Sequence, residues 1–105
     1  MSSNTIDITE MRERATEASD MLKVMAHPVR LMMLCQLTQG EMGAGELQKN
    51  ALLSQSAFSQ HLMILRNHKM IQARKVSQQV FYSLADPRIE TLIESFHDMF
   101  CRRSL

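Results

Sequence analysis

Apolar residues return every three or four positions along the first segment: Ile8, Met11, Ala15, Ala18, Leu22 and Met25, with Glu10, Glu13, Glu17 and Asp20 between them. A 3.6-residue turn places such positions on one face, so the spacing predicts an amphipathic helix. His27-Pro28 ends it. Pro28 suits the first turn of a second helix, where a missing N–H has no partner to lose, and the apolar run Val29 to Leu37 continues that helix until Gly40 stops it. A short third helix is predicted from Ala44 to Lys49, beside the breaks at Gly43 and Gly45. Ser54 can then accept a hydrogen bond from the open N–H groups of a following turn. Ala57, Phe58, Leu62 and Leu65 share one face of the fourth helix, placed at residues 54 to 68.

From Met70 to Leu84 the period changes to two: Ile71 and Ala73 alternate with Gln72 and Arg74, and Val80, Tyr82 and Leu84 with Phe81 and Ser83. This predicts a β-hairpin around Val76-Ser77-Gln78-Gln79. Without Asn-Gly or Asp-Gly, a loose tip is expected. Asp86-Pro87 reads as a cap followed by proline at the first helical position, and Ile89, Leu92, Ile93, Phe96 and Phe100 form the apolar stripe of a last helix. The predicted order is α-α-α-α-β-β-α, a mainly helical, winged helix-turn-helix arrangement. It is read as one domain over residues 1–105, with 1–7 expected to be flexible.

Length changes the picture little, except that a 105-residue chain has a small core and would gain from sharing one with a second copy. No apolar run approaches the roughly 20 residues that span a bilayer, and the polar start lacks the apolar stretch of a signal peptide, so no membrane partner and a cytoplasmic address are expected. Cys35 and Cys101 are then expected to be reduced at rest. Ten methionines suggest an adaptable core. The formal charge of +1 hides a strong polarity. Every Asp and Glu lies within Asp7 to Glu46 or Asp86 to Asp98, whereas Leu47 to Ala85 has no acid and carries Lys49, Arg66, Lys69, Arg74 and Lys75. A polyanion would be drawn to that middle segment.

The middle segment also has the side chains that DNA reading requires. A recognition helix needs short polar groups near its N-terminus, where base edges and phosphates are within reach. Ser54, Gln55, Ser56, Ser59, Gln60 and His61 supply them, and Arg66 extends the face. Gln60 has the amide to bond adenine bidentately, and Ser54 and Ser56 suit phosphates near the positive helix end. Arg74, Lys75, Ser77 and Gln78 would let the hairpin follow the backbone as a wing. A polar helix face alone is common and often only solvated. Its conjunction with an acid-free segment, a preceding short helix and a basic hairpin favours double-stranded DNA over an interaction module that uses this shape without DNA. Nothing suggests an enzyme, for there is no Gly-rich phosphate loop, no nucleophile with a base at suggestive spacing and no carboxylate pair in a predicted cleft; no cofactor is expected.

The run Leu53-Ser54-Gln55-Ser56-Ala57-Phe58-Ser59-Gln60-His61-Leu62, then Leu65-Arg66 and Val80-Phe81-Tyr82-Ser83-Leu84, resembles the ArsR/SmtB family of bacterial repressors. Met25-Ala26-His27-Pro28-Val29-Arg30-Leu31 resembles the family's entry into its second helix. The resemblance covers about residues 18 to 101. It implies a winged-helix homodimer joined through the first and last helices, with DNA binding weakened by an inducer.

The usual metal sites of that family are incomplete here. Glu46-Leu47-Gln48-Lys49 has no cysteine cluster, and Asp86-Pro87-Arg88 lacks the first histidine of the interfacial site. Glu94, His97 and Cys101 remain, at i, i+3 and i+7, and a zinc site would need further ligands from a partner chain. The separation of Cys35 and Cys101, 66 residues, is similar to that of the paired cysteines in the sulfide- and redox-responsive branch typified by HlyU and BigR. That resemblance implies a thiol pair close enough to be bridged by a disulfide or polysulfide, with a reactive sulfur species or oxidant as inducer. Arg102, Arg103 and a protonated His97 would favour a thiolate at Cys101, and the negative end of its own helix would oppose one. Cys35, within the apolar run Leu31 to Leu37, is expected to be the slower, resolving thiol.

Overall fold

The computed structural model describes residues 7–101. Five helices and three short strands follow in the order α1 (Ile8–Met25), α2 (Pro28–Leu37), β1 (Met42–Gly43), α3 (Ala44–Ala51), α4 (Gln55–Asn67), β2 (Ile71–Val76), β3 (Gln79–Leu84) and α5 (Pro87–Phe100). The predicted order is thus recovered, with one addition. β1 is two residues long and pairs antiparallel with β3, Met42 opposite Tyr82 and Gly43 opposite Phe81, giving a sheet of order β1-β3-β2.

Each helix begins on a side-chain cap where the sequence offers one. Asp7 Oδ1 accepts from the backbone N–H groups of Thr9 (2.9 Å) and Glu10 (3.3 Å), so Asp7 is tied to α1; the rest of the start expected to be flexible, residues 1–6, lies outside the described residues. His27 Nδ1 accepts from Val29 N–H at 3.1 Å ahead of Pro28, and Asp86 Oδ1 from Arg88 N–H at 2.9 Å ahead of Pro87. Helix α4 opens on Ser54, whose Oγ accepts from Ala57 N–H at 3.3 Å. It closes with Lys69 N–H on Arg66 C=O and Met70 N–H on Leu65 C=O, a Schellman pair. Lys69 holds φ +59° there, where glycine is the usual occupant.

The core gathers Met33, Leu34 and Leu37 of α2, Leu47 of α3, Phe58, Leu62 and Leu65 of α4, Ile71 and Tyr82 of the hairpin, and Ile89 and Ile93 of α5. No polar or charged residue among those described is buried. The methionines divide: Met25, Met33 and Met70 are core, but Met11, Met32, Met63 and Met99 are exposed, so the reading of them as packing material holds only in part.

Helix α1 stands apart from this body. Val24 and Met25 are its buried residues, with Met21 half-buried, while Ile8, Met11, Ala15, Ala18 and Leu22 face solvent. The radius of gyration is 16.2 Å, against about 13 Å for a compact chain of this length. A projecting 18-residue helix accounts for the excess. Arg88 braces it at mid-length, its guanidinium bonding Glu17 of α1 (3.1 Å) and Asp86 (2.7 Å). No helix among the described residues is long and apolar enough to cross a membrane.

Candidate nucleic-acid interface and thiol pair

Helix α4 has two sharply different faces. Phe58, Leu62 and Leu65 are locked into the core, and at about 100° per residue this turns Gln55, Ser56, Ser59, Gln60 and Arg66 outward, where all five are exposed. The outer face is partly pre-ordered: Gln55 Nε2 donates to Ser59 Oγ at 3.3 Å, and the hydroxyls of Ser54 and Ser56 lie 3.5 Å apart. Met63, 61% exposed, completes the row between Gln60 and Arg66. Its side chain offers no strong hydrogen-bonding group to mark it in the sequence, yet a thioether is well suited to an apolar surface such as a thymine methyl. A recess of ≈ 380 Å³ bounded by Ser59, Met63, Arg66, Asn67 and Tyr82 separates this row from the wing.

His61 belongs to neither face. It is half-buried, its ring 4.6 Å from that of His27 and its Nδ1 3.4 Å from Arg30 Nη1. Burial first, then the charges of His27 and Arg30, hold its pKa below the usual imidazole range.

The wing differs from expectation in two respects. Its tip is tight: Val76 pairs with Gln79, so Ser77 and Gln78 form a two-residue turn, and Ser77 takes φ +59°, a value glycine supplies more cheaply. Arg74, expected on phosphates, is held instead by Glu41 through two hydrogen bonds of 2.9 and 2.6 Å and lies 5.5 Å from the centre of the Phe81 ring. Strand β1 is the cause. By pairing with β3 it carries Glu41, which precedes the acid-free segment, back onto the hairpin beside Arg74. The pair lowers the Glu41 pKa and raises that of Arg74. Lys75, Ser77 and Gln78 remain exposed, and Lys75 takes part in no ion pair among the described residues.

The two cysteines open onto a common cavity. Both are free and exposed, and both line one cavity of ≈ 270 Å³ between α2 and α5, otherwise bounded by apolar side chains and His97. The exposure of Cys35 corrects the expectation drawn from its neighbours. Leu34 and Leu37 turn inward, but Cys35 shares the outward stripe of Met32 and is exposed. Arg102 and Arg103, expected to act on Cys101, lie outside the described residues. Among the described residues no three His, Cys, Asp or Glu side chains converge as a metal-binding set; Glu94 and His97 share a second hollow with Cys35.

The segment that builds the reading head, residues 27–73, matches the model of the bacterial regulatory protein, arsR family. Similarity extends well beyond it. The biofilm growth-associated repressor of Agrobacterium fabrum is 41% identical over 96 residues, spanning 91% of this chain and 82% of that protein. The chain belongs to the arsR family.

Within that family it falls beside HlyU and BigR. The transcriptional activator HlyU of Vibrio cholerae is 39% identical over 97 residues, covering 92% of this chain and 90% of that one. The structure of reduced HlyU superposes with a TM-score of 0.83 at 41% identity, covering 88% of this chain and 97% of that chain. The transcriptional repressor BigR of Xylella fastidiosa gives a TM-score of 0.83 at 34% identity, covering 91% and 98%. The fold is therefore the winged helix of these arsR-family proteins, and the chain is a transcriptional regulator of that family.

Proposed function

We propose that this regulator binds operator DNA as a homodimer and loses or changes its affinity when a reactive sulfur species or oxidant modifies Cys35 and Cys101. The observation that carries the DNA half is the outer row of α4, five exposed polar or basic residues braced from behind by Phe58, Leu62 and Leu65. Gln60 reads a base edge, Ser54, Ser56, Lys75, Ser77 and Gln78 hold phosphates, and Arg74 contributes little. It is a cytoplasmic regulator without catalytic activity.

The dimer is supported by the exposed apolar stripe of α1 and by Met99 and Phe100 at the end of α5, Phe100 being 71% exposed. Two reading heads so joined would address half-sites about one helical turn, or a multiple of it, apart. The relatives include both a repressor and an activator, so repression and anti-repression depend on where the operator lies.

The thiol half is supported by the shared cavity of Cys35 and Cys101. With glutathione persulfide, one thiolate attacks the terminal sulfur, the persulfide S–S bond breaks and glutathione leaves as its thiolate. The second thiolate attacks the protein-bound persulfide at the cysteine sulfur, closing a disulfide and expelling hydrosulfide. Two thiols are oxidised, one sulfane sulfur is reduced, and glutathione and hydrogen sulfide carry away the protons. The bridge would draw α2 and α5 together and bias the dimer toward a different fit to DNA.

Fluorescence anisotropy on operator DNA, with and without persulfide and with the products weighed by mass spectrometry, tests this. Cys35→Ser should leave the affinity of the reduced protein intact and abolish the response; an unaltered response would sink the two-thiol model. Loss of affinity with zinc alone would point instead to ligands around His97.

A further inference from the structure

One cluster links three helices at the corner where α1 ends, α2 begins and α4 passes behind them. Arg30 Nε donates to the carbonyl of Val24, in the last turn of α1, at 2.7 Å. The same guanidinium presents Nη1 to His61 Nδ1 of α4 at 3.4 Å. His27, the cap of α2, lies with its ring 4.6 Å from that of His61, tilted by 55°. All three side chains are half-buried.

The chemistry of these contacts fixes the protons. Guanidinium is only a donor, so His61 Nδ1 must accept and the proton of the neutral ring sits on Nε2. His27 Nδ1 accepts from Val29 N–H and must likewise be bare. We propose that His61 is a positioning residue for DNA binding, which through Arg30 fixes the recognition helix α4 relative to the end of α1 and so sets the angle at which its outer row meets the groove. This rests on the operator-binding reading of α4 and is independent of the thiols.

Protonating His61 at Nδ1 removes the acceptor and places a cation between Arg30 and His27. Among the described residues these two supply the charges acting on His61; the charged residues of α3 (Glu46, Lys49) and β2 (Arg74, Lys75), the other elements packed on α4, are not among them. Burial first, then the electrostatic influence of His27 and Arg30, disfavours the charged ring. The link is therefore complete above about pH 6.5 and is lost as pH falls through the lower pKa of the folded state.

The test uses the full chain and a duplex enriched from a random-sequence library by the wild-type protein at pH 7.5, with an unrelated duplex as competitor. The readout is the ratio of specific to non-specific affinity between pH 5.5 and 8, and circular dichroism checks folding. At pH 7.5 His61→Phe should lose roughly tenfold in the ratio, the scale of one charge-assisted hydrogen bond. His61→Asn, whose Oδ1 takes the place of Nδ1, should recover most of that loss. The wild-type ratio should fall toward the His61→Phe value as pH drops below the ordinary imidazole range, and the His61→Asn ratio should hold. A folded His61→Phe with the wild-type ratio would overturn the proposal, as would a His61→Asn profile that keeps the wild-type pH slope. If His61→Phe does not fold, the His61→Asn profile still decides. A library in which no sequence is enriched would remove the DNA-binding reading itself, and this inference with it.

Discussion

Helix α4 seats Phe58, Leu62 and Leu65 in the core and leaves a polar row outside, whereas α1 carries the same kind of apolar stripe and leaves most of it in solvent. The periodicity that produces the two helices is alike; what differs is whether the chain provides a second surface. For α4 it does, in α2, α3 and β2. For α1 it does so only over the last turn, at Met21, Val24 and Met25. An amphipathic pattern therefore marks an apolar face without telling whether the chain itself covers it, and the face of α4 is covered within one chain where most of that of α1 is not.

The contrast can be broken most strongly in the core. Phe58→Ala should cost about 3 to 5 kcal/mol of folding free energy in a urea titration, because it empties a site sealed on all sides. The double variant Leu22→Glu with Phe100→Glu should leave the circular dichroism spectrum nearly intact while weakening self-association by about 2 to 4 kcal/mol. Light scattering should then find monomer where the unaltered chain is expected to give a dimer, and an unchanged mass would show that α1 and α5 are not the joining surface. Within the reading head the differences are finer. Lys75→Ala should lower the salt slope of DNA binding by about 1, as loss of one phosphate contact requires. Arg74→Ala should change that slope by much less, because Glu41 already neutralises it; equal effects would mean that the ion pair opens on DNA. Smallest of all, Ser77→Gly should raise stability by about 1 kcal/mol by relieving a left-handed backbone, seen as a higher denaturation midpoint.

How legible the molecule was follows the range of the forces involved. The bounds of α4, the proline start of α5 and the two hairpin strands all come from patterns local to a few residues, namely period, cap and breaker. The exposure of Ser54, Gln55, Ser56, Ser59 and Gln60 follows from the same period. Charge counted along the chain leaves Arg74 free for phosphates, and the neutralising Glu41 arrives through β1, a strand of two residues with too little sequence to carry a period. The exposure of Cys35 is hidden in the sequence because an apolar neighbourhood mixes two faces of a helix, Leu34 inside and Cys35 outside. The tight tip was missed because Ser77 adopts a conformation that its residue type does not advertise, as do Leu52 and Lys69 on either side of α4. His61 looked like one more polar residue, and its role depends on His27 and Arg30, more than thirty positions away.

The slender attachment of α1 has a mechanical consequence. Its 18 residues make an arm about 27 Å long, fastened at one end and braced partway by Arg88. Rotating that arm by about 10° about its base carries the free tip roughly 5 Å, well beyond the movement at the joint itself. Any small rearrangement near Val24 is thus magnified at the far end of the helix, and in the proposed dimer it would reach a second subunit as a large stroke, with the leverage working equally in reverse.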